Sequence, residues 1–218
     1  MKFNRNQLLL YAVTDRAWEG RQTLLEQVED ALRGGVTLVQ LREKELDEES
    51  FVREALAIRD LCHRYGVPLI INDNIHVALK CGADGVHVGM EDTPVAELRR
   101  QAGPDFIIGA TAKTVTQARQ AQADGADYLG VGAVFPSPTK QNAVRITLEQ
   151  LREICASVSI PAAAIGGIER DNLSQLNGCG MAGIAVVSAL FGAEDITSAA
   201  RELRGQLETM VAPEKTTA

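Results

Sequence analysis

Residues 128–140 read YLGVGAVFPSPTK: an apolar run leads straight into two prolines, two hydroxyl residues and a lysine. Ser137, Thr139 and Lys140, held together at the mouth of a strand, suit a phosphate. Hydroxyls donate to its oxygens, and the lysine supplies charge. Two other places point the same way. The glycine pair Gly166 and Gly167 lets main-chain N–H groups come close to an anion. Val187 and Ser188 fall where a helix is expected to start, and a helix N-terminus offers unpaired N–H groups to phosphate. Asp73 and Asp92 follow two successive apolar runs. Two carboxylates facing one cavity repel unless a cation lies between them, and Mg2+ carrying a polyphosphate is the natural occupant. Two solvated loop aspartates are the plainer alternative.

Other polar groups stand at the ends of apolar runs in the same way. They are Thr14 and Asp15, the stretch QLREK from Gln40 to Lys44, Asn72, and Thr111. Each alone could be a helix cap. The histidines are weak candidates for a base. His63 sits at a helix end, His76 follows a loop, and His87 lies in a strand and could point either way. Trp18 either lines the mouth or covers it.

These groups need a scaffold that gathers strand ends. Eight short apolar runs recur, at 8–13, 38–41, 69–71, 86–88, 107–110, 128–131, 162–165 and 184–187. Each is too short for a helix and is bounded by Gly, Asp, Asn or Pro, which predicts buried parallel strands. Segments with helical spacing lie between them, at 23–32, 48–65, 94–100, 114–124, 148–157, 171–176 and 199–210. Phe51, Ala55, Ile58 and Cys62, for example, share one helical face. Gly35, Gly82, Gly125 and Gly180 recur as expected helix caps. That recurrence fits either a duplicated module or the general taste of such loops for glycine. Eight β–α units predict a single-domain (β/α)8 TIM barrel over residues 1–211, with 212–218 as a frayed tail. A doubly wound open sheet is disfavoured because no G-x-G-x-x-G follows the first strand. In a barrel, strand C-terminal ends carry the chemistry.

Composition narrows the class. The 218 residues carry 22 basic and 29 acidic side chains, a net charge of -7. That argues against a nucleic-acid partner, which needs a basic face. Small anionic ligands remain compatible, since a few placed cations suffice. No apolar run approaches the ~18 residues of a membrane helix. Cys62, Cys81, Cys155 and Cys179 form no C-x-x-C pair and follow no secretory leader, so reduced thiols in a cytoplasmic protein are expected. A homo-oligomer is compatible with all of this.

With these residues in view, the chain resembles the thiamine-phosphate synthase (thiamine-phosphate pyrophosphorylase) family. The likeness runs from LYAVTD at residues 10–15 to AVVSALF at 185–191. VQLREK, LIINDN, GADGVHVGMED, IIGATAKT, YLGVGAVFPSPTK, IPAAAIGGI and AVVS carry it. Each motif is modest alone, and their order and spacing are specific. The resemblance implies a Mg2+-dependent transferase that condenses an aminopyrimidine methyl diphosphate with a hydroxyethylthiazole phosphate. Diphosphate leaves, and the thiazole nitrogen captures a pyrimidine methylene cation. It implies that Gln40, Leu41, Arg42, Glu43, Lys44 and Asn72 grip the pyrimidine diphosphate, with Thr111 and Lys140 on the same substrate. Asp73 and Asp92 would hold Mg2+. Ser137, Pro138, Thr139, Gly166, Gly167, Val187 and Ser188 would hold the thiazole phosphate. Arg42, Lys44 and Lys140 would neutralise the leaving group. Such a step needs no strong base.

The chain departs from the family pattern in places. Thr111 stands for a usual serine and Ser137 for the first threonine of T-x-T, and both keep the hydroxyl. QNAVRITLEQ lacks the glycine common before the next helix. Two rival functions stay open: a thiazole phosphate tautomerase on the same barrel, and a phosphate-binding barrel without turnover. The retained Asp73, Asp92 and Lys140 argue against the tautomerase.

Overall fold

The computed structural model describes residues 3–18, 20, 22–136 and 144–211. Its strands are β1 Leu10–Val13, β2 Leu38–Leu41, β3 Leu69–Asn72, β4 Gly85–Val88, β5 Ile107–Ala112, β6 Tyr128–Gly132, β7 Ala162–Ile165 and β8 Gly183–Val186. All are parallel, and each pairs with the next. Leu10 of β1 meets Ile184 of β8, which closes the barrel and leaves no free sheet edge. The helices are α1 Leu24–Gly34, α2 Glu48–Arg64, α3 Ile75–Cys81, α4 Val95–Ala102, α5 Val115–Ala123, α6 Leu148–Ala156, α7 Ser188–Phe191 and α8 Ile196–Met210. A 3-10 turn, Leu173–Leu176, is the helical piece between β7 and β8.

The strands are continuous apolar runs because both of their faces are covered. Side chains still alternate between two cores. Leu10 and Ala12 of β1 pack outward under the helices together with Val39 and Leu41 of β2 and Leu129 of β6. The opposite set fills the barrel: Tyr11, Val13, Leu38, Ile70, Ile107, Tyr128, Ala163 and Ala185. Gly109 makes this interior possible. A Cβ there would lie 2.2 Å from Tyr128 Cζ and 2.5 Å from His87 Nδ1, so the two rings use the space that glycine leaves.

Loops at the C-terminal ends of the strands feed capped helices. Thr23 and Glu26 form a reciprocal capping box on α1, as do Thr147 and Gln150 on α6. Asp47, Asn74, Thr114 and Asp195 cap α2, α3, α5 and α8 with their side chains. At the other ends of α1 and α3, Gly35 and Gly82 take the left-handed conformation.

The boundaries differ from expectation in three places. Leu8 ends a 3-10 turn, Arg5–Leu8, whose cap on Asn4 holds it out of β1. The segment 171–176 yields only that 3-10 turn. Helix α3 is the third, being too short to show a period, whereas α7 begins at Ser188, where a helix start is expected. The tail 212–218 lies outside the described residues. No helix among them is long and apolar enough to cross a membrane.

Candidate active site

A cavity of about 230 Å³ opens at the C-terminal ends of the strands. Inward parity decides who lines it. Tyr11, Gln40 and His87 come from β1, β2 and β4; Thr111 and Lys113 come from the end of β5 and just beyond it. Small residues, Gly130, Gly132, Ala133 and Ala185, line the opposite wall and leave room for a ligand.

One end of the cavity is built from Gly166, Gly167, Ile168, Val187 and Ser188. Gly166 and Gly167 have φ of 100° and 63°, which only glycine adopts without strain. The chain at 134–136 lies directly against them. Phe135 N–H donates to Gly166 O at 2.9 Å, and a Cβ on Gly167 would lie 2.1 Å from Pro136 O. Asn172 fixes the loop by donating from Nδ2 to Gly167 O at 2.8 Å. Ser188 donates its hydroxyl to Glu169 at 2.6 Å, so its side chain is already engaged. The N–H of Ser188 opens α7, where no helical acceptor precedes it.

The other side carries charge. Arg42 pairs with Asp15 at 2.8 Å, and both line the cavity. Its main-chain N–H donates to the buried Thr14 hydroxyl at 3.0 Å. Glu43 turns away from the cavity. It accepts from Arg16 and from the main-chain N–H groups of Lys44 and Glu45, each of these at 2.6 Å. Those bonds hold the Glu43 carboxyl below its usual range against the opposing effect of burial. Glu43 thus shapes the loop that carries Lys44. Leu41 is fully buried in the outer core, so only its main chain is available to a ligand.

Asn72 lines the cavity and donates to the next residue, Asp73, at 2.5 Å. Asp73 has φ 60°, an uncommon conformation for a residue with a side chain. Burial and the hydrogen-bonded neighbour Asp92 push the Asp73 carboxyl up to about 6, while Asn72 and the Lys44 charge pull it the other way. Asp92 is fixed in turn by the N–H of Gly89, at 2.7 Å. Two carboxylates this close need a shared proton or a cation. Both are hard oxygen donors, so they fit Mg2+. No cluster of three or more His, Cys, Asp or Glu able to hold a metal occurs among the described residues.

Tyr11 and Lys113, which no sequence motif singles out, line the cavity; His87, whose direction the sequence leaves open, lines it too, and Tyr128 lies behind His87. Lys113 makes no ion pair among the described residues. The signal was available, since Lys113 stands two positions after Thr111 on the same face of an extended segment. Of the other histidines, His63 bonds Asp84 at 2.8 Å, away from the cavity. The four cysteines are free thiols, and none lines it. Ser137, Pro138, Thr139 and Lys140 lie outside the described residues, which reach Pro136 and resume at Val144.

The family model described as thiamine monophosphate synthase matches residues 10–190. A thiamine-phosphate synthase of Clostridium botulinum is 42% identical over 207 residues, covering 95% of this chain and 97% of the relative. One from Ruminiclostridium cellulolyticum is 48% identical over 194 residues, 89% of this chain and 92% of the relative. Among solved structures, a thiamine phosphate pyrophosphorylase from Pyrococcus furiosus superposes with a TM-score of 0.88 at 41% identity, covering 95% of this chain and 99% of that one.

Proposed function

The chain belongs to the thiamine monophosphate synthase family and its activity is thiamine-phosphate synthesis, and on that premise we propose how its two substrates divide the cavity. The pyrimidine diphosphate lies on the side of Gln40, Arg42, Lys44, Asn72 and Thr111. The thiazole phosphate lies at the loops of Gly166, Gly167, Val187 and Ser188, with Ser137 and Thr139. The observation that carries this reading is the carboxylate pair of Asp73 and Asp92 beside one wall of a cavity whose far end is a glycine-lined loop pair.

Asp73 and Asp92 would hold Mg2+. Bound there, Mg2+ supplies charge neutralisation to a diphosphate leaving group. Arg42, oriented by Asp15, and Lys44, oriented through the Glu43 loop, place further positive charge at that group. Lys140 joins them on this reading. The bond from the pyrimidine methylene to the diphosphate oxygen breaks, and its electron pair departs with the diphosphate. The thiazole nitrogen then donates its lone pair to the methylene carbon. Holding the two rings close supplies the rest of the acceleration. No proton moves in the bond-making step. That agrees with His87, which burial pushes down to about 4 and so keeps neutral at pH 7.

The test mixes the two substrates with Mg2+ and follows diphosphate and thiamine phosphate. Equimolar release of both supports the reading. Isomerisation of a thiazole phosphate without diphosphate would replace it by the tautomerase, and binding without turnover by a silent barrel.

A further inference from the structure

Beneath the cavity runs a continuous row of buried polar side chains. Gln40 Nε2 bonds the Tyr11 hydroxyl. Tyr11 meets Tyr128 hydroxyl to hydroxyl at 2.7 Å. The Tyr128 hydroxyl lies 3.2 Å from His87 Nδ1, and His87 Nε2 lies 3.1 Å from Thr111 Oγ1. The row crosses the barrel from β2 through β1, β6 and β4 to β5. Gln40, Tyr11, Tyr128 and His87 are at most 8% exposed, so each depends on the row for its hydrogen bonds.

We propose that this row is a one-way hydrogen-bond relay that fixes the polarity of both ends of the pyrimidine diphosphate subsite, with Tyr11, Tyr128 and His87 as positioning residues. The inference rests on the substrate placement proposed above.

Proton counting gives the direction. A phenol has one proton, and a neutral imidazole has one N–H and one bare nitrogen. An amide nitrogen can only donate. Gln40 therefore gives to Tyr11, Tyr11 gives to Tyr128, and Tyr128 gives to His87 Nδ1. His87 must then carry its proton on Nε2 and donate it to Thr111 Oγ1. Two groups are left facing the cavity: the Gln40 carbonyl and the Thr111 hydroxyl proton. Reversing the links beyond Tyr11 would make its oxygen accept twice and leave its proton without a partner in the row, so the direction set at Gln40 carries through to Thr111.

Both ends of the substrate ask for the same direction. The pyrimidine amino group is a donor and needs the Gln40 carbonyl. The diphosphate oxygens are acceptors and need the Thr111 proton. A reversed row would present an amide N–H2 to the amine and a lone pair to the diphosphate, so it would be wrong at both ends at once. The row thus makes recognition of ring and leaving group one property.

The test reads the His87 tautomer. A His63→Gln, His76→Gln protein keeps His87 as the single imidazole of the original three. Its 15N NMR spectrum at neutral pH, without ligand, should show a bare Nδ1 and a protonated Nε2. An Nδ1–H tautomer or an imidazolium overturns the proposal, and this reading needs no substitution in the row. Tyr128→Phe removes one oxygen and keeps the ring. It should leave His87 as a tautomer mixture and lower kcat/KM for the pyrimidine diphosphate about tenfold, the effect of one oriented hydrogen bond. KM for the thiazole phosphate should stay unchanged. A Tyr128→Phe protein that keeps the pure Nε2–H tautomer and full kcat/KM refutes the coupling, whatever its melting temperature. The diphosphate-release assay on the unaltered protein keeps the two readings apart. The expected tautomer in a protein that releases no diphosphate would sink the substrate placement, and the wrong tautomer in an active one would sink the relay alone.

Discussion

Gly167→Ala probes how the loop proposed to hold the thiazole phosphate is tied to its neighbour. At φ 63° an added Cβ meets its own following carbonyl, which costs about 1–2 kcal/mol. The same Cβ would stand 2.1 Å from Pro136 O and 2.7 Å from Phe135 O. These are main-chain atoms that cannot swing aside, so the 134–136 segment must shift, adding about 1–3 kcal/mol. The total of about 2–5 kcal/mol corresponds to a fall in melting temperature of about 5–15 °C for a chain of this size. The functional effect should reach beyond the thiazole phosphate. Val134 and Phe135 donate their N–H groups to Ile165 O and Gly166 O, so 134–136 and 165–167 move as one piece. That piece leads into Ser137, Thr139 and Lys140. Gly167→Ala should therefore raise KM for both substrates rather than for one. Differential scanning fluorimetry and steady-state kinetics with each substrate varied in turn decide it. A variant that melts within about 2 °C of the parent refutes the clash. A rise confined to the thiazole phosphate refutes the shared movement.

Other expectations follow from single contacts. EDTA should abolish turnover, and Asp73→Asn or Asp92→Asn should raise the Mg2+ concentration needed for half-maximal rate; an unchanged requirement in both variants removes them from the metal site. Lys113→Ala should lower kcat/KM for the pyrimidine diphosphate about tenfold or more, as for a charged hydrogen bond, with no change in melting. An undiminished kcat/KM would leave Lys113 a bystander. Lys140→Ala should lower kcat about a hundred- to thousand-fold with little change in KM, because its charge acts on the departing diphosphate. A pure KM effect in single-turnover and steady-state assays contradicts that role. Burial pushes His87 from 6.5 down to about 4, so the unfolded chain takes up a proton that the fold refuses between those values. Stability is full above pH 6.5 and should fall by about 3 kcal/mol as pH drops to 4. Denaturant titrations at both ends of that window should show a shallower slope for His87→Asn, and equal slopes would refute the assignment.

The barrel was legible because its strands are short apolar runs with breakers on both sides, a pattern that survives without any knowledge of neighbours. Short helices were legible at most from their starts: α7 opens at Ser188, as expected, but neither its four residues nor the seven of α3 carry enough turns for a period to register. The charged mouth was legible from strand-end position alone, since Asp73 and Asp92 meet where adjacent strands end. Side-chain direction was harder. In a strand, one step of register decides between the barrel interior and the helix layer. Gln40 therefore faces the cavity while its neighbour Leu41 is sealed beneath the helices. Glu43 looked like part of a grip on the ligand, yet Arg16 and three main-chain N–H groups claim it, and Arg16 lies 27 residues earlier in the chain. His87 was ambiguous until Gly109 and Gly130 were seen to clear space for its ring from neighbouring strands.

Charge in this site is sorted by depth, and the proposed chemistry explains why it should be. The pyrimidine methylene becomes cationic as diphosphate leaves. Charged groups stand at or beyond the strand ends, as Asp15, Arg42, Lys44, Asp73, Asp92 and Lys113, where the diphosphate would lie. The floor is uncharged. Burial lowers His87 and raises Tyr11 and Tyr128, so at neutral pH the imidazole stays unprotonated and both phenols keep their protons. An imidazolium under the ring would oppose the cation, and a phenolate would be a nucleophile placed to trap it. Neutral dipoles do neither. Because these groups satisfy one another, the floor also holds its hydrogen bonds without recruiting water, the other nucleophile that could intercept the methylene. The same burial that aligns the relay thus leaves the thiazole nitrogen as the strongest donor within reach.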